Sequence, residues 1–118
     1  MLKERHIEAV REWVLSLEDV EETTPFGPET LVYKTAGRMF LLLPLDEEDL
    51  RFNVKCDPEE AIQLREQYPH SVLPGYHMNK KHWNTIVCNP ELTLTQIAQF
   101  ILYSYHLIRG MKPLRKKA

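Results

Sequence analysis

The sequence predicts an α+β fold: a two-layer sandwich in which an antiparallel sheet carries its helices on one face. Three observations predict it. Apolar residues recur at helical spacing near both ends of the chain, strand-like patterning fills the middle, and a glycine turn joins two strands into a hairpin. The order reads helix, three or four strands, helix, one or two strands, helix, which separates the helices from an antiparallel meander. With 118 residues there is room for one such core and not for two.

Residues 3–17 read as an amphipathic helix, with Ile7, Val10, Val14 and Leu17 on one side and Lys3, Glu4, Glu8, Arg11 and Glu12 on the other. Acids in its first turns suit the positive end of the helix dipole. Residues 20–26 form a first strand, stopped by Phe26-Gly27-Pro28. Residues 30–36 and 38–43 pair as a hairpin about Ala36-Gly37, where glycine supplies positive φ. Met39-Phe40-Leu41-Leu42-Leu43 is apolar on both faces and reads as a central strand ended by Pro44, before an acidic loop at 46–49. The clearest strand is 50–56: Leu50, Phe52 and Val54 point one way, and Arg51, Asn53 and Lys55 the other. That alternation predicts one buried sheet face and one wet one.

Asp57-Pro58-Glu59-Glu60 starts a second helix, with Asp as cap, Pro first and Glu third in a capping box. This helix carries Ala61, Ile62, Leu64 and Arg65, and Pro69 ends it. A strand at 82–88 closes at Asn89-Pro90. Thr93 and Gln96 form another capping box, opening a helix that runs to about Arg109. Ile97, Ile101, Tyr105 and Ile108 line one side of it, and Gly110 is its stop.

Apolar residues make up 43% and charged residues 27%, an ordinary balance for a soluble globular domain. No apolar run reaches membrane-spanning length, and the N-terminus leads into an amphipathic helix rather than a signal-peptide core. No membrane contact, a cytoplasmic location and a monomer are therefore expected. Cys56 and Cys88 have no metal-like spacing and read as reduced, buried thiols. The net charge of −2 hides an asymmetry. From Leu92 onward there is no acid, and Arg109, Lys112, Arg115, Lys116 and Lys117 contribute +5, leaving residues 1–91 at −7. The division expected is one domain over 1–110 and a basic tail at 111–118, compatible with nucleic-acid contact or with a simple solubilising end.

Three segments carry a family resemblance. They are Pro25-Phe26-Gly27-Pro28-Glu29-Thr30-Leu31-Val32-Tyr33-Lys34, then Leu50-Arg51-Phe52-Asn53-Val54-Lys55-Cys56-Asp57-Pro58, then Pro74-Gly75-Tyr76-His77-Met78-Asn79-Lys80-Lys81-His82-Trp83-Asn84-Thr85. In order and spacing the chain resembles the MmcQ/YjbR family over nearly its whole length. The resemblance implies a two-layer fold of the frataxin (CyaY-like) or secretion-chaperone type. It also implies DNA binding through a double-wing arrangement, a label that brings no list of bases and no catalytic groups.

Two regions could hold a site. On the wet face Arg51, Asn53 and Lys55 stand in line about 7 Å apart. Lys34 could join them, with either His82 and Asn84 or Trp83 and Thr85, according to register. Such a face can meet phosphates through Arg and Lys and base edges through Asn, or can simply be solvated. In residues 76–85, Lys80 and Lys81 could meet phosphate while Tyr76 or Trp83 stacks, with His77, Asn79 and Asn84 between them. Read structurally, Pro74-Gly75 turns the chain, the Trp packs against a helix, and the Asn and His residues brace an irregular loop.

Other chemistries are weaker. His77 and His82 are a loop-bridging pair without a matching third ligand. The acids Glu18, Asp19, Glu21 and Glu22 resemble a weak iron-holding ridge or a partner-docking edge. A Cys56/His77 or Cys88/His82 dyad is conceivable, but no phosphate loop or nucleophile elbow accompanies it. The expectation is a non-enzymatic binding protein without cofactor, engaging DNA weakly and without sequence preference. The alternative is a chaperone-like module for a protein partner.

Overall fold

The computed structural model describes residues 2–110, with side chains from His6 onward. In chain order it contains α1 (Leu2–Leu15), β1 (Glu21–Thr23), β2 (Thr30–Thr35), β3 (Arg38–Pro44), β4 (Arg51–Lys55), α2 (Pro58–Gln67), β5 (Val72–Pro74), β6 (Trp83–Val87) and α3 (Leu94–Ile108). The strands form one antiparallel sheet in the order β1-β2-β3-β4-β6-β5. The expected α+β sandwich is the fold. The basic tail expected at 111–118 lies outside the described residues.

Local chemistry sets the boundaries. The first strand is shorter than expected because Gly27 N–H donates to Thr24 O and Thr30 N–H to Gly27 O, which turns the chain early. At the hairpin Ala36 and Gly37 both take positive φ, 53° and 75°, as a two-residue turn matched to the strand twist requires. Asp57 caps α2 through Glu59 N–H, one residue before the Glu60 of the expected capping box, and Thr93 and Gln96 complete the capping box of α3. Strand β5 was not located from the sequence. It has three residues, ends in a proline and lies at the sheet edge, where a missing donor is tolerated.

The main core lies between the helices and one sheet face. Ile7 and Val14 of α1 and Ile101, Tyr105 and Ile108 of α3 pack on Leu31, Tyr33, Phe40, Leu43, Phe52, Val54 and Ile86. The β3–β4 ladder pairs only Leu41 with Val54 and Leu42 with Asn53. Beyond it, buried Ser104 of α3 donates its hydroxyl to Phe40 O at 2.6 Å and accepts Lys55 N–H at 2.9 Å. One helix side chain thus satisfies the backbone groups that the diverging strands leave unpaired.

The opposite face corrects the sequence reading of a wet surface. Val32, Leu42 and Trp83 form a second buried cluster there, with Met39 and Met78 packed against it. Asn53 and Thr85 on the same face are also buried. Alternation assigned the right residues to this face, but the segment after β5 folds back and covers its centre.

A polar triad ties α1 to the first hairpin. The fully buried Tyr33 donates its hydroxyl to Glu22 Oε2 at 2.5 Å, and Arg11 donates to both Glu22 oxygens at 3.0 and 3.1 Å. The Arg11 hydrogen bonds, and then that of Tyr33, hold the Glu22 carboxyl below its ordinary value of 4.5. A carboxylate depressed on folding contributes stability above its unfolded pKa and loses it as pH falls through the folded value. Glu22→Gln should therefore cost about 1.5–3 kcal/mol at neutral pH, the range for hydrogen bonds to a charged group. The difference from the parent should shrink below about pH 4. Urea titrations at the two pH values check both statements. An equal cost at both would remove Glu22 from the acid response.

Candidate functional site

The loop between β5 and β6 is held by its own polar residues. Gly75 N–H donates to Trp83 O, and Tyr76 N–H to Thr85 Oγ1, each at 3.0 Å. Thr85 in turn donates to Asn53 Oδ1 across the β4–β6 pair. Asn79 closes the far end: its side-chain oxygen accepts Lys81 N–H at 2.9 Å, and its carbonyl accepts from His82 and Trp83. Gly75 has no room for a side chain, since a Cβ there would lie 2.8 Å from Trp83 Cβ and 2.9 Å from Trp83 O. His77 holds a left-handed φ of 60°.

From α2, Arg65 reaches the same loop. Its Nε donates to Asn84 Oδ1 at 2.7 Å, and its Nη2 to the carbonyls of Lys80 and Trp83, the latter at 3.3 Å. Sequence reading placed Arg65 on this helix without giving it a role. A planar fork that reaches three acceptors on one segment has no signature in a helical pattern.

The residues expected to meet nucleic acid divide into two groups. The register brings Trp83 and Thr85, not His82 and Asn84, onto the face of Arg51, Asn53 and Lys55. Three of the expected contacts are buried: Asn53 in the Thr85 clamp, Asn84 (1% exposed) under Arg65, and Trp83 (7% exposed) over Val32 and Leu42. Trp83 packs on the sheet rather than against a helix. Arg51 is spent on a two-bond pair with Asp49, at 2.7 and 2.9 Å, with Glu47 4.0 Å away. Lys55 holds its ammonium 5.7 Å from the centre of the Trp83 ring. Lys34 lies two strands from β4, opposite Glu21.

What remains accessible is the loop tip. Tyr76 is 61% exposed and its ring lies 4.0 Å from that of His77. Asn79, Lys80 and Lys81 are exposed beside it, although the Lys80 ammonium also donates to Gly75 O at 3.1 Å. Tyr76 borders a depression of about 290 Å³, shared with Glu47, Arg51, Leu73, Pro74 and Thr85. Half of the acidic stretch is structural: Glu22 serves Tyr33 and Arg11, and Asp19 accepts from Ala36 N–H and Arg109. Among the described residues no three His, Cys, Asp or Glu side chains are gathered to hold a metal ion, and no helix is long and apolar enough to cross a membrane.

The YjbR family model matches residues 15–107. Protein YbdF of Escherichia coli O157:H7 is 36% identical over 105 residues, covering 86% of this chain and 82% of YbdF. Protein YjbR of Escherichia coli K12 is 30% identical over 84 residues, covering 71% of this chain and 70% of YjbR. Among solved structures, Deinococcus radiodurans protein DR2400, of the domain family DUF419, superposes with a TM-score of 0.82 at 34% identity, covering 90% of this chain and 81% of that one. A Pseudomonas syringae protein at 24% identity and TM-score 0.74, covering 86% of this chain and 97% of its own, shares the fold. The chain belongs to the YjbR family.

Proposed function

We propose that this YjbR-family chain is a cytoplasmic binding protein rather than a catalyst, and that it meets nucleic acid at the tip of the loop between β5 and β6. The observation that supports this is an exposed aromatic pair, Tyr76 and His77, on a backbone braced at both ends, with Lys80 and Lys81 alongside. Stacking on such a ring tolerates any base, and neighbouring cations meet the phosphates. The thiol dyads that the sequence left conceivable are disfavoured by the state of the cysteines. Burial pushes Cys88 up to about 12, so it is no thiolate nucleophile at neutral pH, and Cys56 is buried. The acidic surface keeps the affinity low, since few phosphates can be neutralised.

The test is fluorescence anisotropy with labelled single-stranded and duplex DNA at about 50 and 200 mM salt. Tyr76→Ala should weaken binding about tenfold, within the ~1–3 kcal/mol that one base–aromatic stack contributes. Lys81→Glu should weaken it further and flatten the salt dependence. Lys81 is chosen over Lys80 because the Lys80 side chain also holds the loop. Absence of binding at low salt, or binding indifferent to both changes, would remove the nucleic-acid reading and leave the protein-partner alternative.

A further inference from the structure

A second cavity, of about 620 Å³, lies on the helix side of the sheet between α2 and α3. Its size is that of a small-molecule site. Apolar walls come from Leu64, Ile86 and Leu102, and from the edge-to-face ring pair Tyr68 and Phe100, whose centres are 6.4 Å apart. Gln63 and Gln67 of α2 and Gln99 of α3 stand exposed in its lining, with Gln96 half-buried. The lining also includes Asn84, the most informative residue of the set.

Asn84 sits on β6 opposite Val54 and Pro74, on the helix face, and is 1% exposed. Arg65 Nε can only donate, so it fixes Oδ1 as the acceptor and turns Nδ2 the other way. Nδ2 is the one buried side-chain polar atom without a hydrogen-bond partner among the described residues. A buried donor left without an acceptor is a standing cost to the fold and marks a place where a ligand atom would be favoured.

We propose that this cavity binds a neutral, planar heterocycle of nucleobase or nucleoside size, with a ring nitrogen or carbonyl accepting from Asn84 Nδ2. Neutrality follows from the lining. It has one lysine, one carboxylate and one imidazole, Lys55, Glu60 and His106, so no charge of one sign dominates, and the Lys55 ammonium lies over Trp83, on the other face of the sheet. Planarity follows from the aromatic wall, and the base-like edge from the exposed glutamine amides, which pair donor and acceptor at once as asparagine and glutamine do with adenine. The inference stands apart from the loop-tip reading, because it concerns the opposite face and does not involve phosphate.

The experiment is an NMR titration of the ¹⁵N-labelled full chain with adenosine, guanosine, cytidine and uridine in turn, with free ribose as control. At least one nucleoside should shift the Asn84 side-chain amide and the amides around Gln63 and Gln99 in a saturable way, and ribose should not. Gln99→Trp, an exposed rim change that fills the cavity, should weaken that binding about tenfold or more while leaving the melting temperature near the parent's. Asn84→Asp, with the donor removed, should weaken it too. Absence of saturable shifts, shifts confined to residues 76–81, or binding unaffected by Gln99→Trp would each overturn the proposal. The confined-shift outcome would still support the loop-tip reading, so the two fail separately.

Discussion

Replacing Trp83 by alanine should lower stability by about 3–5 kcal/mol, the usual loss for deleting a buried Trp or Phe side chain. The indole covers Val32 and Leu42 on the sheet face away from the helices, and among the described hydrophobic side chains Met39 and Met78 pack on that cluster. Removing it uncovers those side chains and takes away the surface under the Lys55 ammonium. Against a total of roughly 5–15 kcal/mol for a domain of this kind, the variant should sit close to unfolding at 37 °C. Trp83→Phe, which keeps most of the apolar cover, should lose clearly less. Urea-induced unfolding followed by circular dichroism separates this from the stacking role that the sequence also allowed. A residue held ready for a base would change stability by no more than about 0.5 kcal/mol when truncated, while abolishing binding. That outcome would return Trp83 to the list of contacts.

Trp83 also shows where sequence reading reached its limit. The caps at Asp57 and Thr93, the turn at Ala36-Gly37 and the alternation through β4 are local, and each is found where the sequence places it. The composition of the far face was legible too, since Arg51, Asn53 and Lys55 do share one side of β4. Its burial was not. A face reads as wet when its side chains are polar, but Asn53 is polar because it must bond to Thr85 and the backbone of Tyr76 beneath the returning loop. The Asn- and His-rich segment is ambiguous for the same reason. Asn79 and Lys80 close the loop with the same groups a binding residue would offer to a ligand, and only three-dimensional partners distinguish the uses. The cavity between α2 and α3 left no sequence signal, because its glutamines are ordinary surface residues of two helices far apart in sequence.

Arg65→Met should cost about 2–4 kcal/mol, although it removes a half-buried side chain from the last turn of a helix whose own propensity it barely alters. The cost is in what the guanidinium leaves behind. Asn84 would lose the partner of its Oδ1 while its Nδ2 already has none, so an entire buried amide would be unsatisfied. The carbonyls of Lys80 and Trp83 would lose the donor that ties them to α2. Arg65→Lys should recover only part, since a single ammonium cannot span acceptors on Asn84, Lys80 and Trp83 at once. Hydrogen exchange should show the loss as local. Amides of residues 81–83 should exchange faster by a larger factor than those of the β2–β3 hairpin, which Arg65 does not touch. A double-mutant cycle gives the decisive number. With Asn84→Leu already in place, removing Arg65 should cost at least 1 kcal/mol less than in the parent, because the orphaned amide is gone. Strict additivity would mean that the Arg65–Asn84 bond contributes nothing, and that Arg65 supports the loop between β5 and β6 through the carbonyls of Lys80 and Trp83 alone.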